Sequence, residues 1–263
     1  MKILKLFLCL LVFALIVPAQ QEKIVPLASD YYLVGGSQNG KWLTAEKIAP
    51  TIGKRTEMVF VNLKGIAKGD AILNNTGEDY GACPENKMMR LEPRIESGFA
   101  VGANAGWNLV PRVPKSIPVT NKTYRKIAAD FLRTKGIIKT RINLSRIVQV
   151  DLEGDGQTET LITGNFYKKG NMEAQTVGDY SFALLRKTVD GKTRNILIEG
   201  EFFTKRDYYD PPNTREILAV ADLNGDGRME IVLDTHYYEG NWKQVFEIEG
   251  TKLSKVLEAS CLV

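Results

Sequence analysis

The chain has 263 residues, 44% of them hydrophobic, which is enough to bury one large core or two modest ones. Its formal net charge is +4, and its lysines and arginines are spread along the sequence without forming a basic stripe. This pattern argues against a nucleic-acid-binding protein, because such proteins concentrate positive charge on one surface. We therefore expect one or two domains and no nucleic-acid partner.

Residues 1–19 have the order of a secretory signal peptide. Lys2 and Lys5 precede an apolar run over residues 6–17, and Pro18 and Ala19 follow it. The run is shorter than the roughly 20 residues that a membrane-spanning helix needs, so cleavage is favoured over permanent anchoring. No second stretch of comparable length and apolarity follows. The sequence predicts an exported protein, secreted or periplasmic, without a transmembrane segment in the mature chain.

Cleavage of the signal peptide leaves two cysteines, Cys83 and Cys261, in a compartment where disulfides persist. The sequence allows either one bridge between them or two separate thiols. A bridge requires Cα atoms within about 7 Å of each other, so only their separation in space decides.

Residues 20–118 are predicted to form a turn-rich β region. Gly35–Gly36 and Asn39–Gly40 interrupt short apolar runs such as residues 58–63. Residues 111–118 are rich in proline, which lacks an amide donor and so disfavours both a helix and a central strand. We interpret this segment as the boundary to a second region, residues 119–263.

One helix is predicted just after this boundary. Apolar residues recur at spacings of three and four: Tyr124, Ile127, Ala128, Phe131 and Leu132. Gly136 follows a basic last turn, which is typical of a helix end. We expect the apolar stripe of this helix to pack on the sheet that follows.

The second region contains an internal repeat. Residues 147–162 (IVQVDLEGDGQTETLI) match residues 218–233 (LAVADLNGDGRMEIVL), and further along the turn at 189–191 matches the turn at 248–250. Each copy is predicted to form four antiparallel strands, like one blade of a propeller. The repeats cover about 145–205 and 216–263, and the fold is predicted to be mainly β.

Both copies carry an acidic loop with the pattern of a calcium site. Alternating side chains supply oxygens at loop positions 1, 3, 5 and 9, with the carbonyl of position 7 as a further ligand. Calcium takes six to eight oxygen ligands, and glycines permit the sharp turn. A plain polar turn is the alternative, but it accounts poorly for two copies of the whole pattern. The predicted ligands are Asp151, Glu153, Asp155, Gln157 and Glu159 in the first loop, and Asp222, Asn224, Asp226, Arg228 and Glu230 in the second.

Over about residues 145–263 the chain resembles the FG-GAP or VCBS-type calcium-binding repeats of integrin-like β-propellers, where such a loop joins two strands of a blade. The resemblance implies two structural calcium ions. Glu153 departs from the family pattern, which has Asp or Asn there, and a Phe-Gly…Gly-Ala-Pro segment is absent. An EF-hand is excluded, because it needs Glu at position 12, where this chain has Ile162 and Leu233.

These features predict a secreted, non-catalytic calcium-binding module that binds an unknown protein or glycan or serves as a scaffold. His236 is the single histidine, and no nucleophile or phosphate-loop motif is present. The alternative is an exported polysaccharide hydrolase or lyase with structural calcium, in which paired carboxylates such as Asp207 and Asp210 act as acid and base.

Overall fold

A computed structural model describes residues 23–29, 33–80, 83–93, 98–170, 176–206, 213–237 and 239–262 of the chain. The predicted signal peptide lies outside these residues. The described chain is mainly β, as predicted, with three antiparallel sheets and two α-helices.

The first sheet is built from the region before the boundary and has seven strands in the order β3-β2-β1-β7-β4-β5-β6. Strand β7 lies between β1 and β4, so two separate hairpin systems are joined by a strand from much later in the chain. The strands are β1 Val25–Ala28, β2 Leu33–Gln38, β3 Lys41–Thr44, β4 Arg55–Asn62, β5 Gly65–Tyr80, β6 Cys83–Glu92 and β7 Phe99–Gly102.

A short helix, α1 (Ala45–Ile48), follows β3 and was not predicted from the sequence. Its residue Ile48 is fully buried against Met58, Leu73 and Met89 of the first sheet. The helix therefore covers one face of this sheet and closes a small core of its own.

The second sheet has five strands in the order β12-β11-β10-β9-β8, and the third has four in the order β13-β14-β15-β16. The second sheet consists of β8 Lys115–Ser116, β9 Leu144–Val150, β10 Glu159–Phe166, β11 Tyr180–Val189 and β12 Lys192–Phe202. The third consists of β13 Thr214–Ala221, β14 Glu230–Tyr237, β15 Gly240–Glu249 and β16 Lys252–Leu262. Strands β9–β12 and β13–β16 are the two predicted four-stranded repeats, and β8 adds to the edge of the first.

The predicted helix is confirmed as α2, Lys122–Thr134. It begins after Asn121, whose side-chain oxygen accepts hydrogen bonds from two amides of the first turn, and Gly136 follows its end with φ of 82°. Phe131 packs against the ring of Phe182 on the second sheet at a centroid distance of 5.7 Å. The apolar stripe therefore lies on the sheet that follows, as expected.

Strand register corrects the alignment of the two repeats in their second halves. Val189 pairs with Lys192 across the turn at 190–191, and Glu249 pairs with Lys252 across the turn at 250–251. The match of 189–191 to 248–250 is therefore wrong by one residue. The alignment from sequence matched Gly191 with Gly250, but Gly191 is the second residue of its turn and Gly250 is the first residue of its turn.

One hydrophobic core joins all three sheets. It contains Val34 and Phe99 of the first sheet, Leu161 of the second and Val232 of the third. Leu257 of β16 also reaches into it and approaches the backbone of the first sheet. The N-terminal region is consequently packed against the repeats and shares their core.

The substitution Gly35→Ala tests this packing, and we predict that it destabilises the fold. Gly35 has φ of 147°, and an added Cβ would lie 2.6 Å from the carbonyl oxygen of Leu43 and 2.9 Å from a methyl of Leu257. The free energy of unfolding in urea should fall by about 3 kcal/mol. Gly40→Ala is the control, because Gly40 also has positive φ but nothing within 4 Å. It should cost about 1 kcal/mol, and equal losses would contradict the proposed contact.

Candidate functional site

The first acidic loop, residues 151–159, is organised by the carboxylate of Asp151. Its Oδ1 accepts a hydrogen bond from the amide of Gly154 at 2.7 Å, and its Oδ2 accepts one from Gly156 at 2.9 Å. Both glycines have positive φ, 76° and 83°, which turns their amides inward at little cost because they have no Cβ. The Asp-x-x-Gly-x-Gly spacing therefore encodes the shape of the loop.

The second acidic loop, residues 222–230, has the same shape. Asp222 accepts hydrogen bonds from Gly225 at 2.7 Å and from Gly227 at 2.9 Å. These glycines have φ of 84° and 85°. The repeat seen in the sequence is thus a repeat of backbone geometry.

The glutamates at loop position 9 close both loops. Glu159 accepts a hydrogen bond from the amide of Leu152 at 2.8 Å, and Glu230 accepts one from Leu223 at 2.7 Å. Both glutamates are buried, 1% and 2% exposed. Each begins the strand that leaves its loop, so each places a carboxylate inside the corner between two strands.

Residues at positions 5 and 7 interact on the outer side of each loop. Asp155 accepts a hydrogen bond from the amide of Gln157 at 2.8 Å, and Asp226 accepts one from Arg228 at 2.8 Å. The guanidinium of Arg228 also lies 3.0 Å from the outer oxygen of Asp226. The side chains of Gln157 and Arg228 therefore orient the position-5 carboxylates.

Position 3 is where the two loops differ. The carboxylate of Glu153 is in ion-pair contact with Lys187 and accepts a hydrogen bond from the amide of Gly250 at 3.1 Å. In the second loop, the side-chain oxygen of Asn224 accepts a hydrogen bond from the backbone amide of Asp226 at 3.0 Å, and its side-chain nitrogen donates one to Glu247 of β15 at 3.2 Å. Glu153 is thus directed towards neighbouring elements.

Three carboxylates converge at the second loop. Oxygens of Asp226, Glu230 and Glu247 all lie within 4.8 Å of one another, the only such trio among the residues that the structure describes. Glu247 lies on β15 and was not predicted. Its Oε1 accepts hydrogen bonds from the indole of Trp42 at 2.6 Å and from the side-chain amide of Asn224 at 3.2 Å. Only the correct register of β14 and β15 identifies it.

Burial and crowding change the acidity of these groups. Burial raises the pKa of Glu230 well above its ordinary value of 4.5, and the nearby charges of Asp226, Asp222 and Glu247 raise it further. Burial also raises the pKa of Asp222 and of Glu159. Without a positive charge nearby, ionising all of these carboxyls costs folding free energy.

Arg112 links the two acidic loops. It donates hydrogen bonds to the carbonyl oxygens of Asp151 at 2.5 Å, Leu152 at 3.0 Å and Gly227 at 2.8 Å. The amide of Met229 also donates to the carbonyl of Leu152 at 2.8 Å. The two loops are therefore spatial neighbours, and the hydrogen bonds that join them are accepted by backbone carbonyls rather than by carboxylates.

The second loop is also attached to the first sheet and to the segment before Arg112. Ser37 donates a hydrogen bond to the backbone carbonyl of Leu223 at 2.7 Å, and the indole of Trp107 donates one to the backbone carbonyl of Asp222 at 2.9 Å. The Trp107 ring lies against Gly225, where a Cβ would approach it to 3.0 Å. The second loop is consequently the more enclosed of the two.

The other candidate residues occupy ordinary structural positions or lie outside the described residues. His236 contacts the carboxylate of Asp234 at 2.6 Å, and Lys243 contacts the same oxygen at 2.6 Å. This group is a cross-strand ion pair with an imidazole at its edge. Asp207 and Asp210 lie outside the described residues, as do the side chains of Cys83 and Cys261.

A surface pocket of about 460 Å³ lies beside β1. Its described lining residues include Lys23, Gln38 and Asn104, and none of these described residues is a carboxylate. A glycosidase site requires two carboxyl groups about 5 to 9.5 Å apart across a cleft. This pocket therefore gives no support to the hydrolase alternative.

Comparison with known proteins finds no family model that matches the chain, and no curated protein or solved structure with significant similarity to it. The resemblance to calcium-binding repeats therefore stays a prediction from the sequence. Within the described residues, no helix has the length and apolarity needed to cross a membrane.

We predict that Arg112→Met uncouples the two loops. The variant loses three hydrogen bonds from a charged donor, two to the first loop and one to the second. The free energy of unfolding in urea should fall by about 2 to 3 kcal/mol. Arg194→Met, at an exposed position on β12, should change it by less than about 0.5 kcal/mol. Similar losses in both variants would contradict this role of Arg112.

We further predict that Glu230→Gln stabilises the metal-free protein as pH rises. Because the folded-state pKa of Glu230 is raised, wild-type stability falls as pH increases above 4.5 towards that pKa. Glutamine keeps an oxygen for the Leu223 amide but carries no charge. In EDTA, the stability of the variant relative to wild type should increase as pH rises above 4.5. Glu216→Gln, an exposed control on β13, should show no such trend.

Proposed function

We propose that this protein is an exported, non-catalytic calcium-binding β-repeat protein of the FG-GAP or VCBS type, in which calcium stabilises a binding or scaffold module. The observation that carries the proposal is the convergence of Asp226, Glu230 and Glu247, whose oxygens lie within 4.8 Å of one another. Such convergence brings three carboxyl groups together where the second loop meets β14 and β15. A bound cation would offset the cost of burying these carboxylates and the repulsion between them.

The donor chemistry favours calcium over a transition metal. The trio and the rest of the second loop offer carboxylate and amide oxygens, whereas zinc and copper sites are typically built from histidine and cysteine. Calcium accepts six to eight oxygens in flexible arrangements, which suits a loop that alternates acidic residues with glycine. Magnesium requires a stricter octahedral arrangement and retains more water.

The residues that would hold the ion are Asp226, Glu230 and Glu247, with Asp222 and Asn224 beside them. Calcium would supply charge neutralisation at this corner and no reaction chemistry. Glu230 is 2% exposed and its pKa is raised by burial and by neighbouring carboxylates. A divalent cation would replace the proton that this group otherwise tends to retain.

A structural role fits the surroundings of the trio. Glu247 is hydrogen-bonded to Trp42 of the first sheet, and Ser37 of the same sheet is hydrogen-bonded to the second loop. An ion at the trio would therefore strengthen the junction of the first and third sheets. This supports a rigid module, while its ligand, a protein or a glycan, and its export through residues 1–19 are predictions from the sequence.

Calorimetric titration of calcium into the purified protein tests the proposal. We expect saturable binding with a Kd of about 10⁻⁴ to 10⁻³ M, the range of extracellular modules. Glu247→Gln and Asp226→Ala should each weaken binding at least about tenfold, whereas Glu216→Gln should leave it unchanged. Calcium at about 100 times its Kd should also stabilise the fold by about 2.7 kcal/mol. Absence of saturable heat at millimolar calcium would refute the proposal.

A further inference from the structure

In the first repeat, a buried lysine lies beside the glutamate that closes the acidic loop. Thr160 of β10 pairs with Arg186 of β11. One residue further towards the loop, Glu159 precedes Thr160 and Lys187 follows Arg186. Because the strands are antiparallel, these two residues are the next neighbours across the ladder.

The second repeat has a carboxylate at the same register position. Ile231 of β14 pairs with Phe246 of β15, so the next neighbours are Glu230 and Glu247. Lys187 is therefore the counterpart of Glu247. The alignment from sequence alone, shifted by one residue in this hairpin, matches Lys187 with Phe246 and conceals the exchange of charge.

Lys187 is directed into the first loop. Its side chain is 3% exposed, and its ammonium is in ion-pair contact with Glu153. Burial lowers the pKa of Lys187, and the charge of Asp151 opposes that shift. Two carboxylates of the first loop thus act on one buried ammonium, and Glu153 is engaged by Lys187 and by the backbone amide of Gly250.

The two loops differ in where their basic side chain lies, and not in whether they have one. The second loop also has a basic side chain, Arg228, but its guanidinium is 43% exposed and contacts the outer oxygen of Asp226. The inner side of that corner brings together the carboxylates of Asp226, Glu230 and Glu247. In the first loop the positive charge lies inside, where it would repel a divalent cation.

We propose that Lys187 is a built-in counter-ion for the first acidic loop, so that this loop folds without metal and the chain binds one calcium ion, at the second loop. The statement about the second loop rests on the proposed function. The statement about Lys187 does not, because it concerns a contact within the chain. The two calcium sites expected from the repeat are thereby reduced to one.

Calcium stoichiometry, measured by calorimetry on the purified protein, tests the assignment. Wild type should bind about one ion per chain, Asp155→Ala should retain it, and Glu247→Gln should lose at least tenfold in affinity. Lys187→Glu restores a carboxylate at the first loop and should bind a second ion. Glu247→Lys places an ammonium at the second loop and should abolish binding.

A measurement without metal tests the lysine by itself. In EDTA, Lys187→Met leaves Glu153 without its partner and should lower the melting temperature by about 6 °C or more, because a carboxylate then remains without its charge partner. Lys192→Met, at an exposed position at the start of β12, should lower it by less than about 2 °C. Lys187→Met tests the role even if Lys187→Glu does not fold.

The outcomes distinguish the two proposals. Two ions bound to wild type, one of them lost in Asp155→Ala, would overturn the role of Lys187 and leave calcium binding intact. No binding to wild type would refute the proposed function, and the comparison of the two methionine variants in EDTA would still decide the role of Lys187. Equal effects of those two variants would overturn it.

Discussion

Concentrated carboxylate charge at two strand corners is the constraint on which the rest of this structure depends. Asp151 and Asp222 shape the loops by accepting pairs of glycine amides, while Glu159 and Glu230 carry charge into the buried corners. Backbone amides satisfy the oxygens as acceptors but neutralise little of this charge. A positive charge would stabilise each corner; Lys187 lies in the first, and a calcium ion is proposed for the second.

The surroundings of the loops are arranged around this need. Arg112 binds carbonyl oxygens of both loops, so it joins them without occupying their carboxylates. Trp42 donates to Glu247 and holds that carboxylate at the corner of the third sheet. Residues from the first sheet and from the segment at 107–112 thus complete corners that the repeats alone leave open. Trp42 and Trp107 also pack against the core that the three sheets share, which holds both side chains near the second loop.

The exchange of Lys187 for Glu247 between the two repeats bears on the proposed function. A duplicated unit with two equivalent sites would depend on calcium at both corners. Lys187 gives the first corner a positive charge of its own, whereas the second corner brings together the carboxylates of Asp226, Glu230 and Glu247. If calcium binds as proposed, the first repeat is expected to stay folded when calcium is low, and the junction of the first and third sheets is expected to respond to the metal.

The sequence by itself determined the elements whose causes are local. The spacing of Asp and Gly in both loops, the four strands of each repeat and helix α2 with its Asn121 cap all follow from turn geometry, periodicity and capping within a few residues. Tertiary structure decided the rest. The insertion of β7 between β1 and β4, and the approach of Trp42 and Arg112 to the loops, are pairings between distant segments. Lys187 and Glu247 occupy equivalent positions in the two repeats, and this equivalence depends on strand register. A one-residue shift at a hairpin turn was enough to hide it, because each shift exchanges the faces on which side chains lie.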